Sequence, residues 1–149
     1  AESSGRMSVP PELSGLKVLV VDDQPDAREL LESILVQGDV KVLLAANADD
    51  ALRSIREERP DLMISDIGMP EVDGYSLIAS VRALSAEQGG MTPAIALTAY
   101  SRIEDRTKAL LEGFTNHITK PVDPQELFAV IAAATGRRRT PDPNAQSRG

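Results

Sequence analysis

The chain has 149 residues, 42% hydrophobic and 26% charged, a balance that supports one domain with a real core and argues against a disordered segment. Its net charge of −7 speaks against nucleic acid as a partner, and the absence of cysteine removes disulfides and thiolate metal sites. No apolar run approaches the length of a membrane span and no charged-then-apolar leader opens the chain, so a soluble, cytoplasmic protein is expected.

Residues 1–14, rich in Ser, Pro, Gly and Glu, read as a flexible N-terminal segment or linker ahead of a domain over 15–136. The first apolar run predicts a strand over 16–22 that ends on Asp22-Asp23. Ala27, Leu30, Leu31, Ile34 and Leu35 then recur at helical spacing, with Pro25 in the first turn and Gly38 past the end. A second strand, 40–45, has no candidate site residue at its end, and Asn47 caps a helix whose inner face is Ala48, Ala51, Leu52 and Ile55. The third strand, 61–66, ends on Asp66, ahead of Gly68, Met69 and Pro70. Tyr75, Leu77, Ile78, Val81 and Leu84 form the stripe of a third helix, and a fourth strand, 93–98, ends on Thr98. Ser101 with Glu104 reads as a capping box for a fourth helix, which Gly113 closes. The fifth strand, 115–119, runs into Lys120-Pro121, where a cis peptide in a sharp turn is expected to aim the lysine inward. Asp123-Pro124-Gln125-Glu126 opens the last helix, Gly136 stops it, and residues 137–149, beginning Arg137-Arg138-Arg139, read as a flexible tail.

Strict alternation of strand and helix predicts an α/β fold, a five-stranded parallel sheet with helices on both faces. The common strand order for such units is 2-1-3-4-5, and sites in open α/β sheets lie at the carboxyl ends of the strands. That order brings Asp22 and Asp23 beside Asp66, with Thr98 and Lys120 at the same edge. Carboxylates about 4 Å apart repel by roughly 4 kcal/mol at an effective dielectric of 20, so three together are unfavourable unless a cation or a proton joins them. An all-oxygen donor set suits magnesium. Capping of the first helix is the competing explanation for Asp22 and Asp23, but it leaves Asp66 unexplained. The Thr98 hydroxyl and the Lys120 ammonium suit phosphoryl oxygens, and the small Ala99 leaves the approach to Asp66 open.

Asp22-Asp23, Asp66 with Met69-Pro70 and Gly74, Thr98-Ala99 and Lys120-Pro121 together resemble the receiver domain of two-component response regulators, over about Leu16 to Gly136. The resemblance implies a flavodoxin-like fold in which Asp66 accepts a phosphoryl group from a phosphohistidine on a histidine kinase or histidine phosphotransfer domain. It further implies Mg2+ held by Asp22, Asp23, Asp66 and the backbone carbonyl of Gly68, with Thr98, Ala99 and Lys120 meeting the phosphoryl group. Thr98 and His117, the one histidine of the chain, match the switch positions, and Gly68 and Tyr100 match positions that tune phosphoryl lifetime. The fourth helix, fifth strand and fifth helix, carrying Arg102, Asp105, Arg106 and His117, match the surface that meets a downstream protein. The expected context is the C-terminal receiver of a hybrid histidine kinase, with a stand-alone response regulator as the alternative. A magnesium-dependent aspartyl-phosphate hydrolase is a third reading, but Asp22-Asp23-Gln24-Pro25 lacks its Asp-x-Asp spacing. A degenerate receiver serving only as a scaffold fits poorly with an intact set of site residues.

Overall fold

The structure, a computed structural model, describes residues 13–68, 74–99 and 103–136. Within them the chain runs β1 (Lys17–Val21), α1 (Pro25–Val36), β2 (Lys41–Ala45), α2 (Ala48–Glu58), β3 (Leu62–Asp66), α3 (Gly74–Arg82), β4 (Ala94–Thr98), α4 (Ile103–Glu112), β5 (Asn116–Thr119) and α5 (Pro124–Thr135). The strands form one parallel sheet in the order β2-β1-β3-β4-β5, as the alternation predicts. The expected Ser101 cap, the Met69-Pro70 turn, Tyr100, Arg102, and all of the two terminal segments except Leu13 and Ser14 lie outside the described residues.

Side chains alternate across a strand, so each strand feeds two cores. Val18, Val20, Ile64, Ile95, Leu97 and Ile118 pack against α1 and α5 through Leu31, Leu35, Leu127, Phe128 and Ile131. On the other face, Leu19, Val21, Met63, Ala94 and Ala96 meet Ala51 and Ile55 of α2, Leu77, Ile78 and Val81 of α3, and Ala109 of α4. β3 and β4 are buried along their whole length, as expected of central parallel strands covered on both sides, while the edge strand β2 stays half-exposed.

Local signals explain several helix ends. Asn47 accepts the Asp50 amide at 2.8 Å and Asp123 accepts that of Glu126 at 2.9 Å. Gly113, at φ +125, ends α4 where an added Cβ would stand 3.1 Å from the Arg82 side chain. α2 instead ends on Arg59 in the left-handed region, φ 50, where no glycine marks the stop. Two apolar residues differ from the sequence expectation. Leu30 is 56% exposed, because the buried arc of α1 is only Leu31, Ile34 and Leu35 wide. Leu13, ahead of the expected domain start, is fully buried in the core beneath α1.

Arg82, at the end of α3, ties three segments together. Its Nε donates to the Gly113 carbonyl at 3.0 Å, and Nη1 donates to the carbonyls of Gly90 at 2.9 Å and Thr92 at 2.7 Å. The guanidinium thus fixes the end of α4 and the entry to β4, and burial pulls its pKa down. A methionine would match the length of the stem but leave three part-buried carbonyls without this donor. Arg82→Met is therefore expected to cost about 3 kcal/mol, a few times the net value of one hydrogen bond. Urea unfolding measures it; an unchanged midpoint would contradict the clamp.

Candidate functional site

The register of the sheet delivers the chemistry to one edge. β1 and β3 pair Val21 with Ser65, so the next residues, Asp22 and Asp66, stand side by side. β4 pairs Asp66 with Leu97 and β5 pairs Thr119 with Thr98, which sets Thr98 and Lys120 at the same rim. Oxygens of Asp22, Asp23 and Asp66 lie within 4.8 Å of one another. Asp22 is fully buried, Asp66 nearly so and Thr98 is buried, whereas Asp23 and Lys120 are half-exposed and Ala99 is exposed at the mouth.

Gln24, rather than either acid, occupies the N-cap of α1, without a side-chain cap. Its backbone N–H donates to Asp22 Oδ1 at 2.9 Å, and the Gly68 N–H donates to Asp66 Oδ1 at 3.1 Å. The second oxygen of each acid is left for other partners. Lys120 Nζ stands 3.4 Å from Asp66 Oδ2 and 4.0 Å from Asp22 Oδ2. The Lys120-Pro121 peptide is cis, and the Lys120 N–H donates to the Thr98 carbonyl at 2.7 Å. Asp22 Oδ2 is buried and accepts no hydrogen bond. A buried carboxylate oxygen without a donor, among two more carboxylates, is the arrangement a hard cation would satisfy.

The model of the family described as "Response regulator receiver domain" matches residues 18–132, which span every strand and this edge. The chain belongs to the response regulator receiver domain family. Among its relatives are an uncharacterized 14.6 kDa protein of Leptolyngbya boryana, 49% identical over 80% of this chain and 89% of that one. A response regulator of Synechocystis is 38% identical over 83% of this chain and 53% of its own length, so the receiver spans about half of that protein. In solved structures it resembles a putative response regulator of Chloroflexus aurantiacus, TM-score 0.76 and 31% identity, over 83% of this chain and all 100% of that one. It also resembles the receiver domain of a sensor histidine kinase of Pseudomonas aeruginosa, described with a magnesium ion coordinated in its active-site cleft. The TM-score there is 0.74 at 32% identity, over 83% of this chain and 99% of that one.

The switch candidates of this receiver share a sheet face. His117 pairs with Ala96 and Thr119 with Thr98, and the alternation puts all four on the α3–α4 side. His117 Nε2 lies 3.4 Å from Thr119 Oγ1. Burial lowers the His117 pKa, Arg106 lowers it further and Glu126 opposes, so the neutral ring is favoured. Tyr100 lies outside the described residues, and a side chain added at Gly68 would meet Asp66 Oδ1 at 3.7 Å, in ordinary contact. The Arg28 guanidinium, which no sequence motif marks, donates from Nη1 to the Asp22 carbonyl at 2.7 Å.

Burial raises the Asp22 pKa above 3.8, the Gln24 hydrogen bond opposes it, and Asp66 raises it again, with Lys120 lowering it and Asp23 raising it. A raised folded-state pKa means that the native protein holds a proton the unfolded chain has released. Stability therefore falls as pH rises through this interval, and the loss persists at neutral pH. Asp22→Asn should accordingly raise the melting temperature of the metal-free protein at pH 7. The gain should shrink as pH approaches the unfolded-state value of 3.8. Melts in chelator across pH test this, and a variant less stable at pH 7 would contradict it.

Proposed function

We propose that Asp66 is the phosphoacceptor of this receiver, taking a phosphoryl group from the phosphohistidine of a histidine kinase or histidine phosphotransfer domain. The observation that carries the reading is the meeting of Asp22, Asp23 and Asp66 within 4.8 Å, with Lys120 Nζ 3.4 Å from Asp66. An Asp66 carboxylate oxygen attacks phosphorus, the phosphorus–nitrogen bond breaks, and the donor imidazole keeps the electron pair. Lys120 neutralises one phosphoryl oxygen and the Thr98 hydroxyl donates to another, while the small Ala99 leaves room for both. Water later attacks the same phosphorus, releasing phosphate and restoring the carboxylate; Gly68 and Tyr100 match the positions that tune the rate of this step in the family.

Asp22, Asp23, Asp66 and the Gly68 carbonyl are the groups that would hold Mg2+. The orphaned Asp22 Oδ2 supports this assignment, as does the magnesium described in the Pseudomonas receiver. Bound magnesium would neutralise charge on the phosphoryl oxygens. Movement of Thr98 toward the phosphoryl group would vacate space beside Thr119 and His117, coupling the site to the α4–β5–α5 surface. Support for a downstream protein there comes from α4, whose Ile103 and Leu111 are 72% and 81% exposed. No helix among the described residues is long and apolar enough to cross a membrane. The same chemistry applies in a hybrid kinase and in a stand-alone regulator.

Acetyl phosphate or phosphoramidate with magnesium should add one phosphoryl group to the wild type and none to Asp66→Asn, as read by mass spectrometry. Modification persisting in Asp66→Asn would refute the assignment. Steady hydrolysis of a generic phosphate ester by that variant would favour a hydrolase instead.

A further inference from the structure

We propose that Arg28 is a positioning residue for the cation site, governing both members of the acidic pair through one peptide plane. The inference rests on the reading of the site given above. Arg28 lies one turn into α1, where the positive end of the helix disfavours a cation. It is nevertheless half-buried, and its Nη1 reaches back six residues to the Asp22 carbonyl at 2.7 Å. That carbonyl and the Asp23 N–H belong to the same rigid peptide unit. Holding its oxygen therefore fixes both the direction in which the chain leaves Asp22 and the direction in which it enters Asp23.

The other anchors of Asp22 do not hold its carbonyl. Its N–H donates to the Ala45 carbonyl at 3.1 Å, which secures the strand side of the residue. Its Oδ1 accepts the Gln24 N–H at 2.9 Å, an arrangement that itself requires the intervening 22–23 peptide to be correctly turned. With Arg28 in place, the buried Oδ2 has one direction left, toward Lys120 Nζ at 4.0 Å and the Asp66 carboxylate. The charges that act on the Asp22 carboxyl are those of Asp66, Lys120 and Asp23, so Arg28 works through the backbone rather than as a counter-ion. A planar guanidinium suits this task, since its donors are held in a fixed fork, whereas a lysine ammonium is a mobile point charge.

The test uses the full chain as wild type, Arg28→Ala and Arg28→Lys, with Mg2+ alone titrated by calorimetry. Amide exchange of Gln24 is followed by NMR in the metal-free proteins, alongside urea unfolding. Groups that orient metal ligands typically contribute ten- to a hundredfold in affinity, so Arg28→Ala should bind Mg2+ roughly tenfold more weakly, with Arg28→Lys in between. Gln24 should exchange faster in Arg28→Ala than the change in global stability explains. Equal Mg2+ affinity in wild type and Arg28→Ala would overturn the proposal. So would weakened affinity accompanied only by a global loss of protection, which marks a merely structural role. Failure of the wild type to bind Mg2+ would instead overturn the functional reading itself, a result distinct from either of these.

Discussion

Three carboxylates at the edge of a parallel sheet, one of them buried out of reach of water, constitute the constraint around which this receiver is organised. Folding alone does not favour the arrangement, because like charges at this spacing repel and the pocket withholds solvation from Asp22. Lys120 offsets part of the repulsion, but its Nζ stands nearer Asp66 than Asp22, and one ammonium faces three carboxyl groups. The buried Asp22 Oδ2 is left without a donor, and the proposed cation would supply the missing charge there. The stability this forgoes is set against the two apolar cores on either side of the sheet.

The sheet makes the arrangement durable. Parallel pairing fixes the level at which each strand ends, so Asp22 and Asp66, more than forty positions apart in the chain, arrive at the same edge. The helices are held less evenly. α1, α2, α3 and α5 each bury an apolar stripe, while Ala109 is the buried residue recorded for α4. The end of α4 is tied down through Gly113 and Arg82, and its first turn exposes Ile103. This uneven packing of α4 is what the proposed switch would draw on.

Much of this was legible in the chain itself. Apolar runs ending on Asp22, Asp66, Thr98 and Lys120 carried their meaning because parallel strands put successive ends on one edge, and the register confirms the placement. Caps at Asn47 and Asp123 were readable because their chemistry is local. Features dependent on shape were not. Leu30 shares the helical period of Leu31 and Ile34, and only the width of the contact with the sheet shows that it faces outward. Arg82 looked like any surface arginine at a helix end, since its carbonyl partners at Gly90, Thr92 and Gly113 carry no side-chain signature. Arg28 escaped for the same reason, as its partner is a backbone oxygen. Its place near the positive end of α1 was the one available clue.

The central claim is that the acids at the sheet edge share one divalent ion, and anomalous diffraction from crystals grown with Mn2+ in place of Mg2+ tests it most directly. The account predicts a single strong peak bounded by Asp22, Asp23 and Asp66, with the Gly68 carbonyl within bonding distance. A peak elsewhere on the acidic surface, or none at this edge with the protein otherwise folded as described, would contradict it.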